Sequence, residues 1–460
     1  MTLPFFFLNC SHIKRGIAFA LFVLLIVGVI PSIYAQDSGI SSSIFRYGPS
    51  RVGEASIELK MPLTLVWKKA LEGSSVYGYF SSSPTLMGEN LYVGGGNGVY
   101  ALNAKTGDII WIYKTEGPVK SSPSVSDGAL YVGSSDGNIY ALAAKAGAKL
   151  WAFKTDGPVV SSPLVVGGVV YVGSEDGFLR AINAKTGALK WKLKTALQIE
   201  SSPALAYGNL YVGSWDGYLY AVDPETGQIK WKFYTQHGIE SSPAISDGIV
   251  FIGASYTNRL MALDAYTGKE LWEYATGYKI ISSPAVSGSL VFIGSTDANV
   301  YAFNAKTGAL IWKHNASGGI SGSSPTVSGD IVYIGAEDNI LYALEKSSGT
   351  LVWSFKADNT INSTPMVSDG FLYLASSDST VYAFTNQALS ATNAQSKALK
   401  TLSPQSERDA RTGINVATQL RTTDEIASQN VLTDWAKWVL VVSAIGGLAV
   451  VVWRRRYHAT

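Results

Sequence analysis

Cysteine is all but missing: the one in 460 residues, Cys10, lies ahead of the first apolar run, so the folded part of the chain has neither a disulfide framework nor thiol chemistry. Histidine is scarce too. His12, His237, His314 and His458 are not spaced as a metal-ligand set, and no D-x-D-x-D-G calcium loop occurs. Charge is thin at 15%, with a formal net charge of +2 and signs interleaved along the chain, which argues against the one-sided basic face of a nucleic-acid binder. No catalytic or metal-ligating residue is singled out, and no cofactor is expected.

The two most apolar long runs lie at the ends. Residues 1–35 read as a signal peptide: Lys14 and Arg15 precede the run Ile17 to Ile30, Pro31 breaks it, and Ala35 offers a small residue for cleavage. An uncleaved N-terminal anchor is the other reading. Near the C-terminus, residues 435–453 read as a transmembrane helix followed by the basic tail 454–460 with Arg454, Arg455 and Arg456. A run of about 16 to 19 residues spans roughly 24 to 28 Å, enough for a slightly thinned bilayer. The arginines keep the C-terminus cytoplasmic and place the rest outside, as the signal does. A sorting tail removed on envelope attachment is a further reading, without a recognisable motif before Trp435. Residues 386–434, rich in Ser, Thr, Asn, Gln and Ala, read as a flexible stalk.

Between the ends a pattern returns every 40 or 41 residues. Its clearest copy, Ser161 to Glu200, reads as four short strands whose period-two alternation breaks at Gly167-Gly168, Asp176-Gly177 and Thr186-Gly187. Tryptophans end the copies at Trp111, Trp151, Trp191, Trp231, Trp272, Trp312 and Trp353, each four residues after a turn glycine. Ser-Ser-Pro or a near variant opens them at Pro84, Pro123, Pro163, Pro203, Pro243, Pro284, Pro325 and Pro365. Starts outnumber ends by one, and the missing end lies upstream in Leu63 to Ala70 with Trp67. The pattern predicts an all-β, eight-bladed β-propeller of four-stranded blades over residues 63–385, closed by that N-terminal outer strand and preceded by a leader at 36–62.

The phrases NAKTGALKW, DPETGQIKW and DAYTGKELW make residues Leu63 to about Phe384 resemble the pyrroloquinoline-quinone (PQQ) repeat family, whose blades carry A-x-D/N-x-x-T-G-x-x-x-W. The resemblance implies eight blades tethered by Trp67, Trp111, Trp151, Trp191, Trp231, Trp272, Trp312 and Trp353, each packing on the adjacent blade. The family has two branches: quinoprotein dehydrogenases, which hold the quinone in the central funnel, and non-catalytic propellers of the outer-membrane protein assembly factor type. The enzymes typically pair adjacent cysteines under the quinone and use Ca²⁺ with an Asp. This chain has no such cysteines and no long inserted loops, so the resemblance favours the non-catalytic branch; PQQ with Ca²⁺ enters only under the alternative of a quinone-dependent dehydrogenase.

In a repeat array a site is sought where blades depart from the shared frame. Asp136, Asp176, Asp216, Asp297, Asp338 and Asp378 form a ring on one face, which tight Asp-Gly hairpins explain without a ligand. Blades four and five break the pattern. There Trp215, Tyr218, His237, Tyr256, Arg259 and Tyr278 form a candidate partner-binding patch for a protein or cell-envelope polymer, against the plainer reading of loops packed on their neighbours. Glu200 and Glu240 lie beside it, and blade one adds Tyr77, Tyr79 and Phe80 to the same face. Asn315 and Asn362 open N-x-S/T tripeptides. The expected product is a cell-surface, single-pass membrane protein with a binding propeller of undetermined oligomeric state.

Overall fold

Blade three shows how the repeat becomes structure. Leu164–Val166, Val169–Gly173, Phe178–Asn183 and Leu189–Lys194 form one antiparallel sheet in that order from the axis outward. Gly167 and Gly168 both have φ near +60° to +70°, the conformation that a two-residue hairpin needs to match strand twist. Asn183 caps the next turn, its Oδ1 accepting from the amides of Lys185 and Thr186. The outer strand then carries a bulge ahead of Trp191, which re-aims the indole.

The computed structural model describes residues 45–72 and 82–386. Eight such sheets are present, and the closing one is assembled from both ends: Thr64–Ala70 pairs antiparallel with Thr380–Thr385, with Trp67 opposite Ala383. Among the described residues no helix is long and apolar enough to cross a membrane. The stretches 1–35, 386–434 (apart from Asn386), 435–453 and 454–460 lie outside the described residues, as do Tyr77, Tyr79 and Phe80.

Three devices lock neighbouring blades. Eight apolar clusters fill the joints; Tyr171, Leu179 and Ile199 meet Leu210, Val212 and Tyr220 at the three–four joint. At the rim, seven indoles donate to a carbonyl of the following blade at 2.8–3.2 Å, Trp67 to Ala104 and Trp191 to Pro224 among them. The T-G glycine makes room for this. At Gly227 (φ +73°) a Cβ would stand 2.6 Å from the Trp191 ring, so motif glycine and motif tryptophan serve each other across blades. Trp353 is the exception, since no T-G turn follows it; it meets Phe384 edge-on at 5.6 Å, and the leader residues Leu59, Leu63 and Met61 fill that joint.

The third device lies at the axis. The second hydroxyl of each Ser-Ser-Pro accepts from the matching amide of the preceding blade, running Ser83, Ser122, Ser162, Ser202, Ser242, Ser283, Ser324 and Thr364, and Thr364 returns to Ser83. A hydrogen-bonded belt thus closes on itself. The first serine of each pair accepts from the second strand of its own blade, as Ser161 does from Gly173.

Inside the belt the leader enters the channel. Amides of the inner strands at Leu205, Ile245, Val286 and Val327 donate to Pro49, Ser50, Val52 and Gly53, one per blade. Glu54–Ala55 then pairs parallel with Thr326–Ser328 and gives blade seven a fifth strand. The segment 36–62, read as a simple leader, is from Phe45 onward part of the fold.

Candidate functional site

The incoming loops and the second turns share one face, and its aspartates are occupied by the frame. Asp216 accepts from the Tyr218 amide through Oδ1 and from the Ala196 amide and Tyr220 hydroxyl through Oδ2, at 2.8–3.0 Å. Asp136 and Asp297 repeat the arrangement. In blade three Arg180 replaces the tyrosine and pairs with Asp176, both side chains buried. These acids hold the hairpins and the incoming loops together.

Of the six patch residues, three come together. Trp215 meets Tyr256 at 5.7 Å between ring centroids, and His237 meets Tyr256 at 6.4 Å. Lys279 sets its ammonium 4.1 Å over the Tyr256 ring, which is 44% exposed. The others lie apart. Arg259 is neutralised by Glu273 at 2.8 Å, Tyr218 meets Tyr234 at 4.9 Å in a tilted pair, and Tyr278 stands 56% exposed. Asn362 is buried, which removes it as a glycan acceptor; Asn315 is exposed.

Beside this cluster the mouth of the channel carries acid. Burial raises the Glu200 carboxyl to about 7, with Glu240 and Glu175 adding repulsion and Trp215 and Lys120 opposing. Burial also raises Glu240 and Glu175. The Trp215 indole nitrogen is buried without a hydrogen bond of normal geometry, and Glu200 is the acceptor it faces. A carboxyl raised in the folded state binds more protons there than in the unfolded chain, so stability falls as pH climbs from the unfolded value toward 7. We expect Glu200→Gln to abolish a loss of about 2 kcal/mol between pH 4.5 and 7.5; parallel denaturation curves for both proteins across that range would count against it.

The channel itself is filled from the opposite side. Arg51, 0% exposed, donates to the carbonyls of Pro203, Ser162, Pro163 and Phe45. Arg46 donates to Ser283, Pro284 and Arg51 carbonyls, and the Tyr47 hydroxyl accepts from the Val367 amide. Burial pushes both guanidiniums down to about 9, still charged at neutral pH. Sequence reading missed these residues and the serine belt. The leader lies outside the repeat, so periodicity is silent about it; Ser-Ser-Pro was visible as a strand start, but nothing local shows a hydroxyl reaching another blade.

A Ca²⁺–quinone pair does not fit the described residues. Leader side chains occupy the axis, the inner serines are bonded to one another, and among the described residues no group of three or more His, Cys, Asp or Glu is disposed to hold a metal.

Four-stranded sheets repeated around an axis, with T-G turns seated on the tryptophans of preceding blades, define a PQQ-type propeller. The family model for the outer membrane protein assembly factor BamB matches residues 64–194, 123–233, 215–324 and 296–408, and the chain belongs to that family. No curated protein matches it in sequence. Among solved structures it is similar to BamB from Moraxella catarrhalis, with 21% identity and TM-score 0.61, over 70% of this chain and 100% of that one. It is also similar to quinohemoprotein alcohol dehydrogenases from Pseudomonas putida HK5 (16%, 0.64, 76% and 81%) and Comamonas testosteroni (15%, 0.64, 80% and 85%). At these identities the likeness is one of fold.

Proposed function

We propose that the chain is a non-catalytic binding scaffold whose propeller, on the extracytoplasmic side of a membrane and anchored through residues 435–453, holds a protein or polysaccharide partner at the face of blades four and five. One observation carries this reading: the chain's own leader, with Arg46 and Arg51, occupies the axial channel in which a dehydrogenase of this fold would keep its quinone. Binding is left to the outer surfaces. Of these, the cluster of exposed His237 and Tyr256 on half-buried Trp215, with Lys279 over Tyr256, combines aromatic surface with charge, the composition of an interface core. Family membership with an assembly factor points the same way.

Crosslinking on intact cells, followed by mass spectrometry, tests it. Trp215→Ala combined with Tyr256→Ala is expected to lose the principal crosslinked partner while keeping the melting temperature within about 3 °C. Retention of that partner removes the patch. Turnover of an alcohol or sugar by the full chain supplied with PQQ, Ca²⁺ and a redox dye would remove the non-catalytic reading.

A further inference from the structure

The outer strands differ more than the rest of the repeat. Around each tryptophan, the positions one before, one after and three after point away from the indole and are mostly exposed. Blade one places Ile110, Ile112 and Lys114 there, blade five Leu271, Glu273 and Ala275, and blade seven Val352, Ser354 and Lys356. Blades three and four depart together: Lys190, Lys192 and Lys194 in one, Lys230, Lys232 and Tyr234 in the other, all exposed. Lys192 and Lys194 share a strand face at a spacing of ~7 Å, and Lys190 lies in the bulge just before Trp191, so blade three gathers three lysines on one short stretch of rim.

Two features separate these lysines from an ordinary solvated face. Their heads are held: Lys192 and Lys194 lie 4.6 and 4.5 Å over the Phe178 ring, and Lys232 lies 4.1 Å over Tyr218. Among the described residues most also lack an acid: Lys230 meets Asp223 at 3.4 Å and donates to the Gly208 carbonyl, Lys194 donates to the Asp176 carbonyl, and Lys192 and Lys232 face their rings. The same corner of blade five is neutralised by its Arg259–Glu273 pair. Charge that is fixed and uncompensated loses little entropy when an anion arrives.

We propose that the rim of blades three and four binds an acidic polysaccharide. Lysine is a point charge that takes carboxylate or phosphate alike, so these cations set the sign of the partner and the exposed aromatic ring beside them selects a sugar polymer. Tyr234, 53% exposed and tilted at 41° against Tyr218, offers the neighbouring ring for a sugar. This surface goes beyond the patch proposed above and includes Tyr218, which packs against Tyr234 rather than with that patch.

The test is titration of the full chain, in mild detergent, with polygalacturonate, and with poly-L-glutamate, duplex DNA and neutral dextran in parallel. Polygalacturonate is expected to bind with an affinity that falls as salt rises. The triple variant Lys190→Gln, Lys192→Gln, Lys232→Gln is expected to weaken it at least tenfold. The charge-matched control Lys306→Gln, Lys313→Gln, Lys356→Gln, on blades six and seven, should weaken it less than twofold. Tyr234→Ala is expected to weaken polygalacturonate at least threefold and poly-L-glutamate not at all. Absence of polygalacturonate binding, equal losses in the two triple variants, or tighter binding of poly-L-glutamate or DNA overturns the proposal. Loss of cellular crosslinks in the Trp215, Tyr256 double variant with polygalacturonate binding intact would show the two surfaces to be independent.

Discussion

Arg51→Ala is expected to destabilise the propeller by about 4 kcal/mol, one of the two largest effects foreseen for a single side chain in this molecule. The guanidinium is wholly buried and its hydrogen bonds end on carbonyls of blades three and four and on Phe45. Removing it takes the guanidinium donors from the Pro203, Ser162 and Phe45 oxygens in an enclosed space, while Pro163 keeps its bond from the Ser124 hydroxyl. Each such loss costs on the order of 1–3 kcal/mol. Lysine lacks the fork and should recover less than half. Chemical denaturation at constant m-value reads the effect. An alanine variant with the wild-type midpoint would make the leader a passenger in the channel.

Trp191→Ala is expected to cost about 3 to 5 kcal/mol, since it removes a large ring from the three–four joint together with its bond to Pro224. Gly227 gives the interaction its signature. Alanine there would bring its Cβ within 2.6 Å of the indole at a φ of +73°, so Gly227→Ala alone should cost about 2 kcal/mol or more. Once the indole is gone only the backbone strain remains. The double variant should therefore be more stable than the sum of the two single losses by at least about 1 kcal/mol. Strict additivity would show that glycine and tryptophan do not meet as described.

Legibility in the sequence followed periodicity. The blade count, the strand order and the pairing of Trp67's strand with the last blade were all readable, because a strict repeat with one surplus start permits few closures. The candidate patch was readable only as a set of exceptions. The structure gathers Trp215, His237 and Tyr256, adds Lys279, and disperses Arg259, Tyr218 and Tyr278, since residues on successive loops can face different neighbours. Glu200 and Glu240 were seen beside the patch, but their raised carboxyls depend on burial that no spacing encodes. The axial plug was invisible for a different reason: Arg46 and Arg51 lie outside the repeat, and their acceptors in the blades are more than a hundred residues away.

Thr64–Ala70 leaves the ribosome before any blade exists, yet its partner Thr380–Thr385 emerges only after all the others. Through most of biosynthesis, therefore, a nascent chain carries an unsealed sheet edge, a species that chaperones shield and proteases attack. Release of a complete chain, rather than completion of any one blade, becomes the checkpoint for maturation. A message truncated shortly before Phe384 would yield seven sound blades and a protein still destined for quality control.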